Sequence, residues 1–201
     1  MRHTHVLPAL LSVAAAILAG CGNDTTSHDS APGGTSVSAN AVDRAFIAEM
    51  APHHRSAVQM AKIAQQRGQS AFVKHLADDI VRTQDREIDL MRSEDMRLAA
   101  AGINRGSLGV AEHMMGMSQN SASLQTASPF DKAFLSMMIP HHEGAIVMAK
   151  AELANGKDRK LKTLAKSIIN AQQGEITAMR KHLRGDDQIT GDPHHDAGHS
   201  G

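Results

Sequence analysis

The chain has 201 residues and no net formal charge, because 21 Lys and Arg balance 21 Asp and Glu. A balanced chain presents neither the basic field that binds nucleic acid nor an acidic tail for a cationic partner, so we expect no nucleic-acid partner. Twelve Met and thirteen His stand beside four Phe and no Tyr or Trp. This bias toward thioether and imidazole is typical either of a core filled with Met or of a site for a soft metal.

The N-terminus resembles a bacterial export signal. An apolar run extends from Val6 to Ala19, and Leu18-Ala19-Gly20-Cys21 is similar to a lipobox. The pattern predicts a lipoprotein signal peptide over residues 1–20, cleavage before Cys21 and acylation of that residue. Residues 21–40 have almost nothing apolar to bury and are predicted to be a flexible tether. We therefore expect an extracytoplasmic protein that is lipid-anchored to a bacterial membrane.

The remainder contains an internal repeat, in which residues 43–95 recur as residues 131–183. The offset is 88 residues at every shared position, and 21 of the 50 positions from Asp43 to Arg92 are identical to their counterparts. Identity at this level without a gap indicates a duplication. The sequence of each copy is typical of a helical hairpin.

Capping residues and apolar periodicity predict four helices in chain order. They run from Asn40 to Gly68, from Ser70 to about Ala101, from Ser128 to Asn155 and from Asp158 to about Arg184. In the third helix, Ser128 is the expected cap and Pro129 the first helical residue. The predicted fold class is therefore all-α, a four-helix bundle over residues 41–185 with a linker over 102–127. Residues 186–201, which contain three His, are predicted to be a disordered tail.

A His-His pair lies on the inward face of the first helix in each copy. His53 belongs to an apolar stripe with helical spacing, formed by Phe46, Met50, His53, Ala57, Met60 and Ala64. Pro52 directly precedes His53, and Pro140 directly precedes His141 in the second copy. Either the helix kinks at the proline or a new helix begins there. In the second case the histidines lie in a first turn, where the helix dipole favours neutral imidazole.

Counting along the hairpin brings polar residues of both helices to one level. With a rise of ~1.5 Å per residue, Gln84 falls level with His53, and Glu87 falls level with Met50. The repeat does the same for Gln172 and Glu175, so we predict one site shared by four helices. The two glutamates are either metal ligands or hydrogen-bond acceptors for an imidazole N–H. The alternative is that they pair with Arg92 and Arg180.

The site as predicted is a metal site built from imidazole and thioether. Its main candidates are Met50, His53, His54, Met138, His141 and His142, with Glu87 and Glu175. Met60 and Met148 lie ~10 Å further along their helices and form a second layer. In the linker, His113, Met114, Met115 and Met117 are either further ligands or cover for an apolar patch. Thioether with imidazole is the ligand set that selects Cu(I).

The paired motif resembles a known bacterial family. Both copies carry Phe, Met, Pro-His-His, Ala and Met, followed by Gln-x-x-Glu-Ile-x-x-Met, and this pattern is similar to the family called domain of unknown function 305 over about Asp43 to Leu183. The resemblance implies a ferritin-like helical bundle that is often exported. It also implies a link to copper, since some members are associated with copper binding and copper tolerance.

Three functions follow as hypotheses. The first is a copper-binding lipoprotein without substrate turnover, which buffers Cu(I) or exchanges it with a metal donor or acceptor protein. The second is a ferritin-like dinuclear iron or manganese oxidoreductase, and against it stands the presence of Gln-x-x-Glu where such sites use Glu-x-x-His. The third is a membrane-tethered interaction module whose histidines satisfy one another in the core. No GxSxG, P-loop or Rossmann fingerprint indicates nucleophilic or nucleotide chemistry.

Overall fold

The computed structural model describes residues 38–117 and 121–185. The predicted signal peptide, Cys21, most of the predicted tether and the predicted tail lie outside these residues, so those assignments stay predictions. Across the described ranges, no helix combines the length and the apolar composition that crossing a membrane requires.

Four long helices account for most of the described residues. They are α1, Ala41–Arg67; α2, Ala71–Ala100; α3, Phe130–Asn155; and α4, Arg159–Arg184. Two short 3-10 turns, Glu112–Met114 and Ser121–Gln125, lie between α2 and α3, and the described part of the chain contains no strand. The predicted all-α fold of four helices is confirmed. Contacts concentrate within the α1–α2 and α3–α4 hairpins and between α1 and α3, so α1 and α3 form the central pair.

The helix starts follow from local capping chemistry. The Asn40 side chain accepts hydrogen bonds from the first turn of α1, and the Asp43 carboxylate accepts one from the Asn40 backbone N–H, which forms a capping box. Ser70 and Asp158 cap α2 and α4 through their side chains. The prediction for α3 is wrong by one residue. Its N-cap is Pro129, and no side chain caps it. The acid in its first turn, Asp131, instead bonds the connection between α1 and α2, as described below.

Both internal prolines lie inside continuous helices. Pro52 is within α1 and Pro140 is within α3, so the expectation that a new helix could begin there is wrong. An interior proline costs roughly 3 kcal/mol through its lost hydrogen bond and steric clash. The apolar stripe continues on both sides of each proline, and its burial against neighbouring helices offsets that loss. The histidines therefore lie in mid-helix, away from the positive N-terminal end of a helix dipole.

The two central helices run antiparallel, a topology that the sequence left open. At one end, the Asn40 side chain before α1 donates to the carbonyl oxygen of Asn155 at the end of α3, at 2.8 Å. At the other end, Asp131 in the first turn of α3 bonds the chain just after α1. The start of each helix therefore lies beside the end of the other.

Two aspartates at equivalent repeat positions join the hairpins. Asp43 in α1 accepts hydrogen bonds from the backbone N–H groups of residues 157 and 158 in the α3–α4 turn, both at 2.9 Å. Asp131 in α3 accepts from the N–H groups of residues 69 and 70 in the α1–α2 turn, both at 2.8 Å. The turn of each hairpin is thus held by the first helix of the other hairpin. We call these two contacts the aspartate clasps.

The apolar core forms two clusters that flank the histidine pairs along α1 and α3. One cluster contains Met60 and Met138 with Phe134. The other contains Met50 and Met148 with Phe46. Because α1 and α3 are antiparallel, the methionine before the histidines in one repeat shares a cluster with the methionine after the histidines in the other.

Glu152 is a buried carboxyl group near the clasp of Asp43, and it has no counterpart in the first repeat, where Ala64 occupies the position. Its oxygens accept no hydrogen bond from a donor among the described residues, and the side chain lies beside the carboxyl group of Asp43. Burial away from water raises the pKa of Glu152 to about 8, and the neighbouring Asp43 adds to this shift. Glu152 therefore retains its proton at neutral pH.

Candidate metal centre

Four buried histidines meet where α1 and α3 cross. The rings of His53 and His141 face each other with centroids 3.7 Å apart, and His54 and His142 lie outward from them, each 6.4 Å from its sequence neighbour. None of the four is more than 1% exposed. The duplication therefore brings the two His-His pairs into one layer, which we call the histidine layer.

The outer histidines of this layer each bond a glutamate of the second helix in their own hairpin. His54 Nε2 lies 2.7 Å from a carboxylate oxygen of Glu87, and His142 Nε2 lies 2.6 Å from one of Glu175. In the structure each glutamate accepts a hydrogen bond from an imidazole N–H, which is one of the three roles considered for it. The prediction did not say which imidazole each glutamate bonds, because counting levels along the helices gave no information about direction around the helix axis.

The inner histidines differ from each other. His53 Nε2 lies 2.9 Å from the backbone carbonyl oxygen of Met115, and since a carbonyl only accepts, His53 carries its proton on Nε2. In His141, by contrast, neither ring nitrogen has a hydrogen-bond partner among the described residues. The two copies of the motif are therefore not equivalent at their centre.

Each ring in the layer has at least one nitrogen without a partner. Nδ1 is buried and unbonded within the described residues in His53, His54, His141 and His142. For the three rings whose Nε2 donates a proton to an oxygen, Nδ1 of the neutral imidazole carries a lone pair. Buried polar atoms are usually hydrogen-bonded, so a set of unbonded acceptors requires an explanation. A bound cation supplies one.

Burial keeps the inner rings uncharged. Desolvation, reinforced by the neighbouring His54, lowers the pKa of His53 to about 3. Desolvation, reinforced by His53, holds the pKa of His141 well below its usual value of 6.5. A metal ligand must be the neutral imidazole, and both inner rings are in that form at physiological pH.

Four methionines lie in the clusters on either side of the histidine layer. Met50, Met60, Met138 and Met148 are all fully buried. Met60 and Met148, predicted as a second layer, each share a cluster with one of the nearer methionines. The surroundings of the imidazoles are therefore rich in thioether sulfur.

The Met-rich linker lies against the histidine layer through its backbone. A Cβ added to Gly144 of α3 would stand 2.0 Å from the carbonyl oxygen of Met115, and one added to Gly116 would stand 2.5 Å from that of Pro140. Only glycines permit this approach. Met115 is half-buried, whereas His113, Met114 and Met117 are exposed. Of the linker residues proposed as ligands, only Met115 reaches the layer, and it does so with its carbonyl group.

Gly144 was missed by sequence reasoning, although a signal was present. Its counterpart in the first repeat is Ser56, so the duplication shows that the helix itself does not require glycine there. A glycine in one copy only is a weak signal of a close approach by another segment. Gly144 has such a contact, whereas Gly174, which stands where the first repeat has Arg86, has none within 4 Å.

Two glutamines line a small opening between α2 and α4. Gln84 and Gln172 are buried, and the side-chain oxygen of each lacks a partner in the described part of the chain. Together with Glu87 and Glu175 they border a cavity of about 10 Å³, roughly the room of one water molecule. This cavity lies beside the two glutamates that bond His54 and His142.

Within residues 38–117 and 121–185, no group of three or more His, Cys, Asp or Glu side chains is arranged to hold a metal ion. Methionine sulfur is outside that set, and the two core clusters each contain two fully buried methionines.

The family model described as Domain of unknown function (DUF305) matches residues 43–183. The chain belongs to this family. The match includes both repeats, and it confirms the resemblance inferred from the paired motif.

Several solved structures are similar to this chain in sequence and fold. CopM in the Cu(II)-bound form is 32% identical, with a TM-score of 0.62, over 71% of this chain and 96% of CopM. CopM has also been solved in Cu(I)-bound, Ag-bound and apo forms. A DUF305 fragment from Deinococcus radiodurans is 30% identical, with a TM-score of 0.62, over 74% of this chain and 99% of the fragment.

A curated viral relative matches over a shorter range. Uncharacterized protein L153 of Acanthamoeba polyphaga mimivirus is 47% identical over 53 residues. The match covers 26% of this chain and 35% of that protein, so the chain spans about a third of the relative's length.

Proposed function

We propose that the protein binds copper, mainly as Cu(I), outside the cytoplasm. Its role is to buffer the metal, to provide tolerance to it, or to exchange it with a donor or acceptor protein. The observation that carries this proposal is the histidine layer, in which all four Nδ1 atoms are buried and unpartnered between clusters that hold four buried methionines.

The donor chemistry favours copper over hard cations. Cu(I) is soft and prefers imidazole and thioether, whereas Mg, Ca and Mn prefer oxygen ligands. The proposed donors are His53, His54, His141 and His142 with Met50 and Met138, while Met60 and Met148 lie further along the helices. Glu87 and Glu175 fix the orientation of the outer imidazoles rather than bind the metal, which is the usual role of a carboxylate behind a metal-binding histidine. The exposed Met114, Met117 and His113 are proposed as a first contact for arriving copper.

Similarity to CopM supports the same proposal. CopM was solved with Cu(I), Cu(II) and Ag bound, and it is about 31–32% identical to this chain over nearly its whole length.

A dinuclear iron or manganese oxidoreductase is the second candidate. The two Glu–His pairs, His54 with Glu87 and His142 with Glu175, are the observation that favours it. Ferritin-like sites draw Glu from two helices and Glu-x-x-His from two others, whereas α2 and α4 here carry Gln-x-x-Glu. Copper therefore ranks first.

The location proposed for this function is the outer face of a bacterial membrane, with a lipid on Cys21. The support is the sequence Leu-Ala-Gly-Cys after an apolar segment. Metabolic labelling with a radioactive fatty acid should label the wild type and leave Cys21→Ser unlabelled, and the variant should leave the membrane fraction. A labelled variant would contradict the anchor.

Replacing both inner histidines by leucine is expected to weaken Cu(I) binding by at least about tenfold, or 1.4 kcal/mol, because it removes two donors. Leucine fills the space and removes three ring nitrogens that lack partners among the described residues, at the cost of one hydrogen bond, from His53 to the Met115 carbonyl, so the fold should be kept. The measurement is an anaerobic titration of the purified protein with Cu(I) against a competing chelator, comparing wild type with His53→Leu/His141→Leu.

The exposed His75 on α2 provides the control, since His75→Ala should bind copper as the wild type does. Copper binding that the double variant leaves unchanged would rule out the histidine layer. Parallel titrations with Fe(II) and Mn(II) address the second candidate. Stoichiometric iron with oxygen-dependent absorbance would favour the oxidoreductase over copper.

A further inference from the structure

One pair of neighbouring surface positions is charged differently in the two repeats. In the second repeat, Glu143 of α3 forms an ion pair with Arg180 of α4. The equivalent residues of the first repeat are Arg55 and Arg92, so two arginines stand where the other hairpin has a bonded pair. Within the described residues, neither Arg55 nor Arg92 bonds an acidic side chain.

These arginines border a groove between α1 and α2. The groove has a volume of about 580 Å³, and its apolar lining includes Ile47, Ala51, Pro52, Ile88 and Met96. Met96 is 61% exposed, the largest exposed fraction among the large apolar side chains of the described residues. The groove thus combines an apolar lining with two arginines that form no ion pair in the described part of the chain.

The remaining charges in the groove leave a surplus of positive charge. Arg105 also lines it, as do Asp89 and Asp95. Asp95 is already engaged, because Arg44 contacts it at 2.8 Å and Arg105 at 3.1 Å. Asp89 is then the one acidic residue of the groove's lining that forms no ion pair in the described part of the chain. Two arginines of the lining, Arg55 and Arg92, likewise form none, so positive charge is in excess.

We propose that this groove binds an acidic peptide segment of a partner protein, whose carboxylate lies between Arg55 and Arg92 and whose neighbouring apolar side chain covers Met96. Glu143 and Arg180 provide the internal precedent, because at the equivalent place in the second hairpin an arginine on the same helix face holds a carboxylate. Arginine binds carboxylates in a directional manner that favours such recognition. The apolar lining favours a peptide over a small inorganic anion, which would leave it exposed.

The proposal is tested with a fluorescein-labelled Glu-Leu-Glu-Leu-Glu peptide, whose anisotropy is followed as the full-length protein is added at about 0.15 M salt. Arg55→Glu is expected to weaken binding by at least about tenfold, because the introduced carboxylate should form an ion pair with Arg92, as Glu143 does with Arg180. Arg86→Glu makes the same charge change on an exposed part of α2 outside the groove, and it should alter the affinity by less than about twofold.

A second variant, Arg92→Gln, removes one arginine without creating an ion pair and keeps the test valid if Arg55→Glu does not fold. Unchanged affinity in the folded groove variants would overturn the proposal. Equal competition by inorganic phosphate, or equal binding of a Glu-Ser-Glu-Ser-Glu peptide, would also overturn it, because either result assigns the groove to anions in general. None of these outcomes depends on whether the histidine layer binds copper.

Discussion

Alanine in place of Gly144 is expected to lower the free energy of unfolding by about 1–3 kcal/mol, the usual cost of overpacking. The added Cβ would stand 2.0 Å from the carbonyl oxygen of Met115 and 2.7 Å from the nitrogen of Gly116. Both are backbone atoms, so no change of rotamer relieves the contact. The linker must lift away from α3, which weakens the hydrogen bond between Met115 and His53. Urea denaturation measures the loss, and amide hydrogen exchange at Met115 and Gly116 should accelerate.

The matched control is Gly174→Ala in α4. An added Cβ there meets nothing within 4 Å, so the only effect is the helix propensity of alanine, which stabilises by up to about 1 kcal/mol. The two substitutions are chemically identical and differ in their neighbours alone. If Gly144→Ala proved as stable as Gly174→Ala, the linker would not press on the helix as described.

Raising the pH from about 4.5 to about 8 is expected to cost on the order of 2 kcal/mol of stability through Glu152. The folded state holds this proton up to about pH 8, whereas the unfolded chain releases it near the ordinary value of 4.5. Between these values folding takes up a proton, so the free energy of unfolding falls as the pH rises. The contribution is fully present below about pH 4.5.

Glu152→Gln removes the titration and keeps a neutral group of the same size, so its stability should lack this fall. The measurement is the wild-type minus variant difference in free energy of unfolding, from urea denaturation at several pH values. Taking the difference removes the contribution of His53 and His141, which has the opposite sign because burial lowers the pKa of both. Glu49→Gln, on the exposed face of α1, should follow the wild type. A difference that does not change with pH would mean that Glu152 is ionised in the folded protein.

The helices were predictable because their signals are local and occur twice. Capping residues such as Asn40 and Asp158 and a stripe of helical period depend on neighbours in sequence, and the repeat at 88 residues required both hairpins to be alike. The prolines were harder to interpret. Whether Pro52 ends a helix depends on how much apolar surface is buried beyond it, and this is a tertiary property.

The level at which the polar residues meet was predictable from sequence, whereas the individual contacts were not. Counting the rise per residue along the helices placed Glu87 level with the histidines. It did not identify His54 as the partner that the structure shows, because the rise along a helix axis does not fix the direction around it. The carbonyl contact of Met115 depends on the path of the linker and has no local signal. The aspartate clasps were also missed, since Asp43 is a normal first-turn acid in sequence and only the antiparallel arrangement brings it to the other hairpin.

The single linker gives the duplicated fold a polarity that a symmetric dimer of hairpins would lack. In an isologous dimer both central imidazoles would meet the same atoms. Here Met115 fixes the tautomer of His53, while both nitrogens of His141 stay unbonded within the described residues. The two facing rings, 3.7 Å apart, are therefore chemically distinct. A cation that approaches the pair finds one donor with a fixed orientation and one that can present either nitrogen.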